Sequence, residues 1–220
     1  MGDGTLEVVM LTLGKVQTNC FIVGDKATGS AVVIDPSDNA PLILQAVESR
    51  GWTVRDILVT HAHFDHVLAV DDLRAATGAP FRLHEADVPL LQMMQLSGHW
   101  FGLDLPPGPE PDGFVQVGEP IMVDGIRLDV RFTPGHAPGH VSYVLASEQI
   151  VFSGDCLFRG SIGRTDLPGC DHAALLRSIT EQLLPLGDAY TVAPGHMGLT
   201  TIGNERQHNP FLQDYDPTGA

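Results

Sequence analysis

Basic residues are scarce in this chain. Twelve Lys and Arg stand against 27 Asp and Glu in 220 residues, a formal charge of −15. A surface of that sign repels phosphate backbones and anionic lipid heads, so nucleic acid and membranes are not expected partners. Cysteine is scarce too. Cys20, Cys156 and Cys170 are odd in number and form no CxxC pair. A disulfide framework is therefore not expected, and a reducing, cytoplasmic location is. No apolar run approaches the roughly 18 residues that a membrane helix needs. The start, Met1 to Glu7, is polar and acidic, without the look of a signal peptide. Low-complexity segments and clear internal repeats are also lacking.

Apolar residues, by contrast, make up 43% of the chain. That is ample for one sizeable domain, expected over residues 1–220. Short β-branched runs predict strands at Leu6–Leu13, Cys20–Val23, Ala31–Ile34, Asp56–Thr60 and Phe81–His84. In the second half they recur at Ile121–Val123, Ile126–Phe132, Val141–Ala146, Ile150–Ser153 and Tyr190–Ala193. Asp124-Gly125 marks a hairpin. Helical spacing predicts a helix capped by Asp38 or Asn39 and running to Arg50, and others over Val67–Thr77, Asp87–Leu96 and His172–Leu184. A short helix is expected after Gly203. Residues 98–113, with four prolines, read as an irregular loop. Each half runs strands, helix, strand, so two sheet-plus-helix halves packed face to face are expected.

The chemistry concentrates at strand ends. Thr60-His61-Ala62-His63-Phe64-Asp65-His66 follows a buried strand. Residues i and i+2 of a strand share a side, so His61 and His63 can converge on one ion. Asp65 and His66 follow in the turn. Pro134-Gly135-His136, Gly154-Asp155 and Pro194-Gly195-His196 each close another predicted strand. Imidazole and carboxylate donors suit Zn²⁺, Fe²⁺ or Mn²⁺. A glycine before each of the last three donors allows close backbone approach.

These motifs resemble the metallo-β-lactamase fold superfamily, whose T-H-x-H-x-D-H signature stands at residues 60–66. His136, Asp155 and His196 match its later motifs in order. Within it, the chain is most similar to compact bacterial glyoxalase II-like proteins (hydroxyacylglutathione hydrolases). Gly-Asp-Cys-Leu-Phe at 154–158, Gly-Ser-Ile-Gly-Arg-Thr-Asp at 160–166, and Thr-Ile-Gly-Asn-Glu-Arg with His-Asn-Pro-Phe within 201–211 carry that likeness.

The resemblance implies an α/β fold, an αββα four-layer sandwich, and two divalent metal ions, Zn foremost. By the same likeness His61, His63 and His136 hold one ion, Asp65, His66 and His196 hold the other, and Asp155 bridges them. Asp65 and Asp155 are the carboxylates expected to serve the reaction directly. Two adjacent cations can share a hydroxide at neutral pH, so attack on a thioester carbonyl is expected, with S-D-lactoylglutathione or a related small-molecule thioester as substrate. Arg164 matches a basic position that contacts the glutathione part. The alternative is a mono-iron persulfide dioxygenase acting on glutathione persulfide. β-Lactam hydrolysis is disfavoured by the bridging pattern of Asp155, and flavodiiron-type oxygen reduction by His63. Trp100 and Phe101 are candidate pocket residues. His140 is expected to be structural, Cys156 to serve packing, and Asp166 to hold the loop around Arg164.

Overall fold

A computed structural model describes residues 5–100 and 102–213. Two six-stranded mixed sheets lie face to face, and the sheet pairings explain which predicted strands are wholly apolar. In the first sheet the order is β1 (Leu6–Leu13), β2 (Thr18–Asp25), β3 (Ser30–Ile34), β4 (Thr53–Leu58), β5 (Phe81–Leu83) and β6 (Gly113–Phe114). The first three pair antiparallel and the rest parallel. The second sheet takes β7 (Ile121–Val123), β8 (Ile126–Phe132), β9 (Val141–Leu145) and β10 (Ile150–Gly154) in sequence order. It ends with β13 (Thr191–Pro194) parallel to β10 and β14 (Thr200–Thr201) at the edge. A small hairpin, β11 (Leu157–Phe158) and β12 (Ser161–Ile162), stands apart.

Side chains alternate across each strand, and both faces are covered. In β2 and β3, Phe21, Val23, Val32 and Ile34 point between the sheets, where they meet Leu128, Tyr143 and Phe152. Their neighbours Cys20, Ile22, Ala31 and Val33 point outward, onto Ile43 and Val47 of α1 (Ala40–Glu48) and Leu73 of a later helix. On the far side, Val144 and Val151 meet Leu175 and Ile179. The result is the expected αββα order, with three buried apolar layers between four structural ones.

Several boundaries differ from the sequence expectation. The helix expected over Val67–Thr77 is two, α2 (Phe64–Val67) and α3 (Val70–Thr77). The break falls where Ala69 N donates to Pro36 O at 3.0 Å instead of closing a helical turn. Asn39 takes the N-cap position of α1 at φ 52° but makes no side-chain cap; Asp38 Oδ1 instead accepts from Asn39 N at 2.6 Å. The Asp87–Leu96 helix divides into α4 (Val88–Gln92) and α5 (Met94–Trp100), so the expected loop starts later than 98. Gly98 permits this, because a Cβ there would stand 2.7 Å from Leu105. Helix α6 (His172–Ser178) gives way to a wider π turn over Ile179–Leu183, where Thr180 Oγ1 donates back to Leu176 O at 2.9 Å. The chain closes with α7 (Ile202–His208) and α8 (Pro210–Gln213). Among the described residues, no helix is long and apolar enough to cross a membrane.

Candidate metal centre

All seven expected metal donors meet at one end of the sandwich. They sit where β4, β8, β10 and β13 stop, so four strand ends from both sheets converge there. His61, His63 and His136 form one group whose donor atoms lie within 4.8 Å of one another. Asp65, His66 and His196 form a second, and His61, His66 and Asp155 a third that joins them. Asp155 stands between: its Oδ1 is 3.5 Å from His66 Nε2, and its Oδ2 is 3.5 Å from both His136 Nε2 and His196 Nε2.

Proton accounting shows that the first group faces inward with lone pairs. Thr60 Oγ1 donates to Asp35 Oδ2 at 2.9 Å, so its proton is committed. His61 Nδ1, 3.1 Å from that hydroxyl, must then be the donor, which leaves His61 Nε2 unprotonated. His136 Nδ1 lies 2.9 Å from the Arg164 carbonyl, which can only accept, so His136 Nε2 is unprotonated as well. Both bare nitrogens face His63 Nδ1, at 3.0 and 2.9 Å. A tetrahedral centre with metal–nitrogen bonds of about 2.0–2.1 Å sets its nitrogens about 3.3 Å apart. Three facing ring nitrogens that share at most one proton, at nearly that spacing, fit a cation.

The second group gives the same answer by another route. His66 is fully buried, yet neither of its ring nitrogens makes a directed hydrogen bond, and Asp155 Oδ1 is likewise without one. Nδ1 lies 3.1 Å from Asp35 Oδ2, and Nε2 3.5 Å from Asp65 Oδ2. Buried polar atoms left this way are costly unless something else completes them. Gly195 is required here: a Cβ would collide with Asp155 Oδ1 and stand 2.7 Å from His66 Cε1.

Electrostatics divide the two groups. Burial, reinforced by neighbouring imidazoles, holds His61 well below the ordinary imidazole range and His63 down to about 3. Burial also lowers His136, although Asp155 opposes it. For His66, burial acts in the same sense but Asp65, Asp35 and Asp155 outweigh it, raising the ring to about 9. His196 is raised to about 10 by Asp155 and Asp65 against burial. Asp65 and Asp155 stay ionised despite burial because those imidazoles flank them.

Supporting residues that sequence patterns did not single out fix this geometry. Thr18 Oγ1 donates to Asp65 Oδ2 at 2.7 Å. Asp35, in the left-handed region at φ 52°, takes Thr60 N and Thr60 Oγ1 and faces His66. Asp87 accepts from Ala62 N at 2.9 Å and Gly139 N at 2.5 Å, tying the 61–66 turn to the 136–140 turn. His140 supports the donors from behind: its Nε2 accepts from Asp155 N at 3.1 Å, and its Nδ1 faces Thr133 Oγ1 at 2.9 Å.

A cavity of about 450 Å³ opens over the donors, lined by Trp100 and Arg164 among others. Phe101 lies outside the described residues. The Arg164 side chain is half exposed and pairs with Asp166 at 2.7 and 2.9 Å, which is the loop-holding contact expected of Asp166. Arg159 is exposed at the β11–β12 turn and is not part of the cavity wall. Cys156 is fully buried in the core against α6, where burial and the nearby Asp155 charge push its thiol well up, so it serves packing.

Comparison with known proteins agrees with this geometry. The family model of the metallo-beta-lactamase superfamily matches residues 13–196. Hydroxyacylglutathione hydrolase GloC of Haemophilus influenzae is 36% identical over 209 residues, covering 94% of this chain and 97% of that protein. Among solved structures, BLEG-1 B3 metallo-beta-lactamase superposes with a TM-score of 0.88 at 38% identity, over 94% of this chain and 100% of that one. TTHA1623 in a di-iron-bound form gives 0.83 at 40% identity, over 93% and 100%. ETHE1 from Myxococcus xanthus gives 0.76 at 29%, over 93% and 83%. Paired sheets, converging His and Asp donors and near full-length similarity lead to one assignment: the chain belongs to the metallo-beta-lactamase superfamily.

Proposed function

We propose that this protein is a two-metal hydrolase of glutathione-type thioesters, with S-D-lactoylglutathione or a related hydroxyacyl thioester as substrate. The observation that carries the reading is Asp155, a single carboxylate within 3.5 Å of imidazoles from both donor groups. In this reading His61, His63 and His136 hold one ion, Asp65, His66 and His196 the other, and Asp155 both. Zn is the proposed ion; Fe and Mn accept the same donors. The similarity to hydroxyacylglutathione hydrolase GloC supports the substrate.

Held by these residues, two divalent ions would supply an acidified water as nucleophile and a Lewis acid for the thioester carbonyl. The chain's own residues do the positioning. Thr18 orients Asp65, the Arg164 carbonyl orients His136, and His140 anchors the backbone of Asp155. Cys156 is too buried to attack, and a thiolate leaves without acid assistance. Arg164, at the cavity mouth, is the group proposed to meet a carboxylate of the thiol arm, exchanging Asp166 for it.

A second reading, one-iron oxygenation of glutathione persulfide, needs only His61, His63, His136 and Asp155. The similarity to a protein described as a B3 metallo-beta-lactamase places β-lactams on the same assay panel. The test is Asp155→Ala. The proposal expects metal content and thioester hydrolysis to fall together; full hydrolysis by that variant overturns it.

A further inference from the structure

The cavity walls differ in character from the cavity floor. The floor is the donor cluster, with His63, Asp65, His136, Asp155 and His196 facing the space. The walls are apolar: Leu90 comes from α4, Met93 from the turn between α4 and α5, Trp100 from the end of α5, Phe158 and Ile162 from the β11–β12 hairpin, and Met197 from the loop after β13. Met93, Trp100 and Met197 are 38%, 53% and 60% exposed, so large apolar groups stand in water around the mouth. Apolar surface arranged this way around a concave site gains by covering an apolar ligand.

Polar wall groups are few and engaged. Ser97 Oγ donates to Met94 O at 2.9 Å, and Ser161 Oγ faces Ile162 O at 3.4 Å. Among the described residues Arg164 is the one Lys or Arg of the lining, and Asp166 holds it in a two-point contact. A lactoyl group is small and carries a hydroxyl. It would leave most of this wall uncovered, and its hydroxyl meets no wall group kept free for it. A glutathione arm carries two carboxylates and an ammonium, which an apolar wall cannot solvate. That arm belongs at the mouth, beside Arg164 and water. The apolar wall is then left for the other arm of the thioester.

We infer that the cavity is an acyl pocket, shaped for a bulky apolar acyl group in preference to lactoyl, with the charged thiol arm held at the mouth. This rests on the thioester-hydrolase reading, but the pocket can be tested without turnover. S-Alkylglutathione thioethers place an alkyl chain where the acyl group would lie and cannot be hydrolysed as thioesters. Binding of S-methyl-, S-propyl- and S-hexylglutathione to the metal-loaded protein is followed by tryptophan fluorescence. Trp100 reports the pocket; the other tryptophan, Trp52, is buried beneath Arg50, away from the cavity lining. Each buried methylene is expected to tighten binding about fourfold. Trp100→Phe should abolish the optical signal while calorimetry still detects binding. Met93→Ser should flatten the chain-length series with metal content unchanged. A series already flat in the wild type overturns the inference.

The second arm measures kcat/KM for hexanoyl-, phenylacetyl- and lactoylglutathione. A tenfold or greater preference for the apolar acyl groups is expected, and lactoyl equal to or above them overturns the inference. A protein that binds long thioethers more tightly yet hydrolyses no thioester refutes the hydrolase reading and leaves the apolar pocket standing.

Discussion

Glu205 lies far from the donor cluster in sequence logic, yet the wall of the cavity depends on it. The side chain is fully buried and accepts four hydrogen bonds. Oε2 takes Gly160 N at 2.7 Å and Asn209 Nδ2 at 2.9 Å; Oε1 takes Thr200 Oγ1 at 2.5 Å and Asn204 Nδ2 at 2.7 Å. Asn209 Nδ2 also donates to Ser161 O at 2.9 Å. Helix α7 thus grips the turn between β11 and β12, the hairpin that carries Phe158 and Ile162 into the cavity. In Glu205→Gln one oxygen becomes an amide nitrogen; turned toward Thr200 it can donate to that hydroxyl but leaves Asn204 Nδ2 unmatched. One charge-assisted bond is lost, worth about 1.5–3 kcal/mol, and the others fall to neutral strength, so the cost is about 3 kcal/mol. For a chain of this length that lowers Tm by about 6–12 °C. The sign with pH follows from the hydrogen bonds, which hold this carboxyl below its usual range against burial. A depressed folded-state pKa gives stability that is present above the unfolded pKa and lost as pH falls through the folded one. The gap between wild type and variant should therefore narrow as the solution is acidified below about pH 4.5. Thermal unfolding of both metal-free proteins from pH 7 to pH 3 measures it. A Tm within about 2 °C of wild type at pH 7, the size of a neutral surface change, refutes the reasoning.

Two further predictions concern the metal centre. Asp87→Ala removes the clamp between the 61–66 and 136–140 turns and should weaken metal affinity about 10–100-fold, as loss of outer hydrogen-bond partners does; competition with a chelator reads this, and unchanged affinity contradicts it. His66 and His196, raised to about 9 and about 10, are protonated at pH 7 and must lose those protons to bind, whereas the His61, His63 and His136 group is held neutral. Calorimetry in buffers of differing ionisation heat should show little proton release with one ion and more than one proton with the other, whose affinity should rise more than about tenfold per pH unit between pH 6 and 8; equal release for both ions contradicts the division.

What the sequence revealed depends on range. The seven donors were legible because each lies in a short motif at the end of an apolar run, often beside a glycine. Strands β2, β3 and β9 were legible because both faces are buried, which leaves apolar runs such as Cys20–Val23, Ala31–Ile34 and Tyr143–Leu145. Asp35 and Asp87 carried no such mark, and Glu205 stood in a motif, Thr-Ile-Gly-Asn-Glu-Arg, that pointed to kinship and not to its four hydrogen bonds. Asp35 reads locally as a turn before Pro36, and its partners Thr60 and His66 come from the far side of β4. Asp87 sits among surface acids until the fold brings Gly139, 52 residues away, onto its carboxylate. The β11–β12 hairpin has two residues per strand, too short for any alternation to register. Prolines drew attention to 98–113 as a loop, but the first, Pro106, lies too late to stop α5 short of Trp100. That difference matters, since it places Trp100 on a helix beside the donors.

The central claim is that two ions, joined by Asp155, serve thioester hydrolysis. Elemental analysis of the purified protein, run on the same sample as an S-lactoylglutathione and apolar acyl-glutathione hydrolysis assay, tests it most directly. Two metal ions per chain with turnover of a glutathione thioester is the predicted result. One iron per chain, with oxygen uptake on glutathione persulfide and no thioester turnover, would contradict it.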